Sequence, residues 1–146
     1  MIFISHRGNL EGKSDMENNP VYIDFALHQG FDVEIDVWQY KKAWWLGHDK
    51  PTHRVTDKWL LERRDDLWCH AKNAEGAVAL DAAKLHAFGH AEDPYVFTNR
   101  GYVIVHPKAK LVPNSIVMLP EERDGECFCS CIGVCSDQIG RYAGEC

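Results

Sequence analysis

The sequence predicts an α/β fold, and two observations predict it. In the first half, short apolar runs that stop abruptly at polar residues alternate with segments of helical periodicity. In the second half, β-branched and aromatic runs follow one another through Gly, Pro, Asn and Asp, with little room for helices. No repeat, low-complexity tract or linker interrupts the 146 residues, and 45% of them are hydrophobic, so residues 1–146 read as a single domain.

The first element is the run Ile2 to Ser5, which ends in His6-Arg7-Gly8 as a buried strand does when it delivers polar groups at its carboxyl end. A polar loop follows. Val21, Phe25 and Leu27 then recur at helical steps, and Gly30 stands where a C-cap belongs, which predicts a helix over 17–29. Residues 31–38 alternate, with Val33, Ile35 and Val37 on one face and Asp32, Glu34, Asp36 and Trp38 on the other. Ala43 to Gly47 hairpins back through 39–42 and leads into His48-Asp49. Thr56 caps a short helix over 56–65, Leu67 to Lys72 forms a strand, and Asn73 opens an Ala-rich helix over 74–84. The remaining strands are predicted at 85–90, 95–98, 102–106, 115–119 and 131–135.

Composition excludes several functions. Sixteen basic against 22 acidic residues give a net charge of −6, and no Lys/Arg run supplies the basic face that a nucleic-acid partner requires. The five residues Met1 to Ser5 can neither form a signal peptide nor span a bilayer, so no transmembrane segment is expected and the expected compartment is cytoplasmic, with its six cysteines reduced. Cys127, Cys129, Cys131 and Cys135 lack paired zinc-knuckle spacing; all are odd-numbered, which on a strand would make them small buried hydrophobes on one face, with a soft-metal or redox site as the other reading.

The chemistry concentrates before residue 73. Glu34 and Asp36, two apart on a strand, point to one side and can share a hard cation, Mg²⁺ or Ca²⁺, although alternating acids also make an ordinary solvated face. His6-Arg7-Gly8, Glu17-Asn18, Glu34-x-Asp36 and Gly47-His48-Asp49 follow in order within 49 residues. This series resembles the glycerophosphodiester phosphodiesterase family, within the phosphatidylinositol phospholipase C-like phosphodiesterase superfamily, over residues 2–49 and more weakly beyond.

The resemblance implies a metal-dependent phosphodiester hydrolase acting on a small phosphodiester. His6 and His48 would serve as acid and base, since imidazole titrates near neutrality. Arg7 would grip phosphoryl oxygens with its planar fork. Glu34 and Asp36 would hold the cation, with Glu17 either reaching the metal, positioning Arg7, or merely favouring a helix dipole. Where the family carries E-x-K, this chain has His70-Ala71-Lys72. Lys72 retains a phosphate contact, while His70 supplies nitrogen, which opens the site to Mn²⁺ or makes His70 a catalytic or substrate-contacting group. That replacement and the short chain raise one alternative, an inactive phosphate-ester-binding relative; a separate alternative is a lyase forming a cyclic phosphate.

The resemblance further implies a TIM-like (β/α) barrel. At about 18 residues per strand unit, against typical units of about 30, only a reduced barrel with short connections in the second half fits this length. His90, Thr98, Glu121 and Asp137 fall near predicted strand ends, where such barrels collect active-site groups, although loops are polar by default. Trp38, Trp44, Trp45 and Trp68 read as packing residues first and as a stacking platform for a sugar or lipid headgroup second.

Overall fold

The computed structural model describes residues 1–145. In chain order it forms β1 (Ile2–His6), α1 (Pro20–His28), β2 (Asp32–Tyr40), β3 (Ala43–Leu46), β4 (His53–Val55), α2 (Asp57–Glu62), β5 (Leu67–Ala71), α3 (Ala74–Ala82), β6 (Ala87–Gly89), β7 (Tyr95–Phe97), β8 (Val103–Val105), β9 (Ile116–Met118), a 3₁₀ turn at Pro120–Glu122, β10 (Gly133–Ser136) and α4 (Ile139–Glu145).

All ten strands join one sheet. Parallel pairings run from β6 through β5, β2, β1, β10 and β9 to β8, and β7 adds antiparallel to β8. The sheet is curled into a half-barrel. Asn99, just past β7, bonds back to β6: its N–H donates to Ala87 O and its Oδ1 accepts from Ala87 N–H, both at 2.9 Å. β2 is long enough to serve three neighbours: Ile4 to His6 pair with Asp32 to Glu34, β5 follows the other edge over Val33 to Val37, and the tail Val37 to Tyr40 turns back into β3.

The alternation along each strand sorts side chains into two cores. Val33, Ile35 and Val37 pack with Ile23 and Ala26 of α1, Leu60 of α2 and Leu80 of α3, which is the outer layer between sheet and helices. Ile4, Trp68, Phe88, Ile104, Ile116, Met118 and Cys135, drawn from six strands, pack on one another with no helix between them and therefore fill the concave face. Burying each large apolar side chain here contributes roughly 1.5–3 kcal/mol. The carboxyl ends of the same strands open above this inner core.

The α/β class and the scarcity of helices in the second half agree with expectation. Helix α1 starts three residues later than 17 because Asn18 holds φ 61°, a left-handed conformation that no helical residue adopts, and Asn19 then caps the helix by accepting from Val21 N–H. Thr56 and Asn73 cap α2 and α3 as their sequence positions predict. Two elements are additional: β4, which pairs with β3, and α4, whose Ile139 is fully buried against the outer face beside Phe3. The cysteine reading needs correction. Cys131 and Cys135 are buried, but Cys127 and Cys129 lie exposed in the loop before β10, because β10 starts only at Gly133.

Candidate metal centre

The strands deliver their polar residues to one point. His6 ends β1 and pairs in register with Glu34 of β2; Asp36, two residues on, pairs with His70 of β5. Alternation puts Glu34, Asp36 and His70 on the concave face, on the same side as Trp68. One donor atom from each of Glu34, Asp36 and His70 lies within 4.8 Å of the others. His70 Nδ1 is 3.1 Å from Asp36 Oδ1 and 3.9 Å from Glu34 Oε1.

The trio could hold a metal ion. Glu34 is 3% and Asp36 0% exposed, yet Glu34 Oε2 and Asp36 Oδ1 have no hydrogen-bond partner. The basic groups that face them are His6 Nε2, 3.7 Å from Glu34 Oε2, and His70 Nδ1 and Lys72 Nζ, 3.1 and 3.8 Å from Asp36 Oδ1, and a metal ion could add to these. Burial and the neighbouring Asp36 charge push the Glu34 carboxyl up. Asp36 behaves oppositely: burial works against its charge, but His70, the Arg7 guanidinium and Asn18 hold it well below the usual carboxylate range. Two carboxylates and one imidazole form a mixed oxygen and nitrogen donor set that fits a divalent ion such as Mg²⁺ or Mn²⁺.

A second ring of side chains orients the trio. Arg7, just past β1 at φ 58°, places Nε 2.9 Å from Asp36 Oδ2 and donates from Nη1 to Glu17 Oε2 at 3.2 Å. Burial opposes the Arg7 charge, but Glu34, Asp36 and Glu17 more than offset it. Glu17 stands outside the donor trio, in the turn before α1; its other oxygen accepts from Asn9 Nδ2 at 2.8 Å. The reading of Glu17 as a helix-opening carboxylate is thereby overturned, and its contacts are those of a residue that positions Arg7. Asn18 clamps Asp36 twice, donating from Nδ2 to Oδ2 and accepting the Asp36 N–H, each at 2.9 Å. Lys72 Nζ stands 3.8 Å from Asp36 Oδ1.

The far end of the chain completes the site. Asp137, directly after β10, lies 2.7 Å from His6 Nδ1 and also accepts from Asn9 at 2.8 Å. Glu121 accepts the Asp137 N–H and the Ser136 hydroxyl, both at 2.8 Å, and so fixes the turn that carries Asp137. The other ring nitrogen, His6 Nε2, faces Glu34 Oε2 at 3.7 Å. Burial disfavours a charged His6, but the bond to Asp137 and the Glu34 charge prevail and push its pKa up.

Of the eight residues singled out from the sequence, the structure brings His6, Arg7, Glu17, Glu34, Asp36, His70 and Lys72 together. His48 stands apart from their contacts. It follows Gly47, whose N–H donates to Asp36 O at 3.1 Å, so it emerges at the same end of the sheet; its exposed ring pairs with Asp49 Oδ1 at 2.8 Å. Among the strand-end candidates, Asp137 and Glu121 belong to the site, the His90 carbonyl accepts from His70 Nε2 at 3.3 Å, and Thr98 bonds His86 within the inner core. Asn9 and Asn18 carry structural weight that composition and spacing alone did not assign. No family model matches the chain, and neither a curated protein nor a solved structure matches it.

Proposed function

We propose that the protein is a metal-assisted phosphodiester hydrolase built on a pared-down (β/α) barrel. The observation that carries this reading is the cluster of two buried carboxylates and an imidazole, Glu34, Asp36 and His70, set beside His6, Arg7 and Lys72. The resemblance of the ordered motifs to the glycerophosphodiester phosphodiesterase family points the same way. A divalent cation held by Glu34, Asp36 and His70 would neutralise charge developing on the phosphoryl oxygens.

The chain's own groups divide the remaining work. Arg7, locked by Glu17 and Asp36, presents its guanidinium to phosphate with little freedom to lose, and Lys72 adds a point charge on the opposite side of Asp36. His6 has Nδ1 committed to Asp137, which leaves Nε2 as the atom that gives or takes a proton at the substrate. His48, on its exposed turn, is the second proton carrier in this reading. Hydrolysis of bis(p-nitrophenyl) phosphate with Mg²⁺, Ca²⁺ or Mn²⁺ tests it: turnover should appear with metal, vanish with chelator, and vanish in His6→Ala. Activity indifferent to chelator and to both His6→Ala and His48→Ala would sink it. A cyclic phosphate product would reassign the chemistry to a lyase.

One observation favours a second reading, a phosphate-ester-binding protein without turnover. The His48 ring is paired with Asp49 in solvent rather than with the buried groups. Calorimetry that shows phosphate-ester binding with no product after long incubation would select this reading.

A further inference from the structure

Beyond the acidic trio, β2 continues on the same face to Trp38, about 7 Å along the strand from Asp36. There Trp38, Tyr40, Trp45, Pro51 and Asn73 line a cleft of about 410 Å³. It adjoins the site on two sides: Trp38 follows Asp36 by two residues, and Asn73 follows Lys72. We propose that this cleft is the subsite for an apolar arm of the ligand, an aromatic ring or short hydrocarbon esterified to the phosphate. The assignment of that arm to a diester rests on the hydrolase reading.

Three features select an apolar occupant. The walls are three aromatic rings and a proline, with no charged side chain among them. Two of the residues that line it use their polar groups inside the protein: Trp38 Nε1 donates to Gly47 O at 2.6 Å, and the Asn73 amide bonds Gly76 N–H, Gln39 N–H and Gln39 O. That leaves Trp45 Nε1 and the Tyr40 hydroxyl, fewer hydrogen-bonding groups than the several that a sugar's hydroxyls need. Finally, Lys41 Nζ lies 5.2 Å from the centre of the Tyr40 ring, so a cationic group, which that ring would otherwise attract, meets repulsion, whereas an anionic diester carrying an apolar arm does not.

Two measurements test this. The first compares phenyl p-nitrophenyl phosphate with methyl p-nitrophenyl phosphate, which share a leaving group; kcat/KM should favour the phenyl ester about tenfold or more, and the ratio should fall toward unity in Tyr40→Ala and Trp45→Ala. Tyr40 is 50% exposed, so its replacement probes the cleft without emptying the core. The second is independent of turnover: saturation-transfer NMR should show protein-to-ring transfer to benzyl alcohol in the wild type and its loss in both variants. Equal rates on the two esters with no transfer to benzyl alcohol overturn the subsite while leaving the hydrolase standing. So does a phenyl preference that both variants retain. No diester turnover, together with variant-sensitive transfer to benzyl alcohol, supports the apolar cleft and removes the hydrolase.

Discussion

Asp137 Oδ1 stands 2.7 Å from His6 Nδ1, joining residues 131 positions apart at the point where β1 and β10 run side by side. The contact leaves Nε2 as the ring nitrogen that faces Glu34 and favours the imidazolium. Asp137→Asn keeps the shape and removes the charge. The His6 pKa should then fall, read from its ring proton by NMR titration, and diester turnover should drop by about 10²-fold, the lower end of what a positioned acid or base supplies. An unmoved His6 titration would show that Asp137 does not govern it.

Asn18 governs the other side of the site. Its two bonds to Asp36 orient a carboxylate that, in the proposed reading, would share a cation with Glu34, and outer partners of this kind are typically worth about 10- to 100-fold in metal affinity. Since Asn18 sits at φ 61°, the informative replacement is Asn18→Gly, which removes the amide without backbone strain. Calorimetry with Mn²⁺ should show affinity weakened within that range, and Glu34→Gln should weaken it further. Equal affinities in wild type and Asn18→Gly would place the cation elsewhere.

These two residues also show what the sequence does and does not reveal. Glu34 and Asp36 were visible because a strand repeats every two residues, so one reading of the alternation assigns a whole face, whereas His70 and Lys72 were singled out through the resemblance alone. His6 and Arg7 were visible as polar residues closing an apolar run. The roles of Asn9 and Asp137 arise from a bond spanning 128 positions, made only when the sheet curls to bring β10 beside β1, and no local pattern encodes that. The start of α1 was misplaced for a related reason: Asn18 leaves the helix to clamp Asp36, a tertiary demand that outweighs local propensity. Cys127 and Cys129 show the opposite failure, since their odd spacing suggested a strand face while Pro, Glu and Gly upstream keep the chain in a loop until Gly133.

His86 predicts how the fold responds to acid. It is 3% exposed, bonded to Thr98 Oγ1 at 2.8 Å and packed on Trp68 and Tyr102. Burial, assisted by the Arg100 charge, pulls its pKa down to about 4 from an ordinary 6.5. Between those values the unfolded chain binds a proton that the folded chain refuses, so stability falls as the pH drops from 6.5 toward 4. Urea midpoints measured across that interval should decline, and His86→Phe, which keeps a ring in the stack, should decline less. A parallel decline in both proteins would assign the effect to other groups.

Gly47 ties stability to the placement of His48. Its φ of 152° is reserved for glycine, and a Cβ there would stand 2.1 Å from Lys50 O and 2.8 Å from Thr52 Oγ1. The first of these is backbone and cannot rotate away. Gly47 N–H meanwhile donates to Asp36 O, and Gly47 O accepts from Trp38, so the turn cannot shift without loosening both β2 contacts. Strain and overlap together should cost roughly 2–4 kcal/mol in Gly47→Ala. The loss should appear as a lowered thermal midpoint, accompanied by weaker binding of phosphate esters, because the turn displaced is the one that carries His48. If the midpoint falls while phosphate-ester binding and turnover stay at wild-type levels, the exposed His48 takes no part in the site.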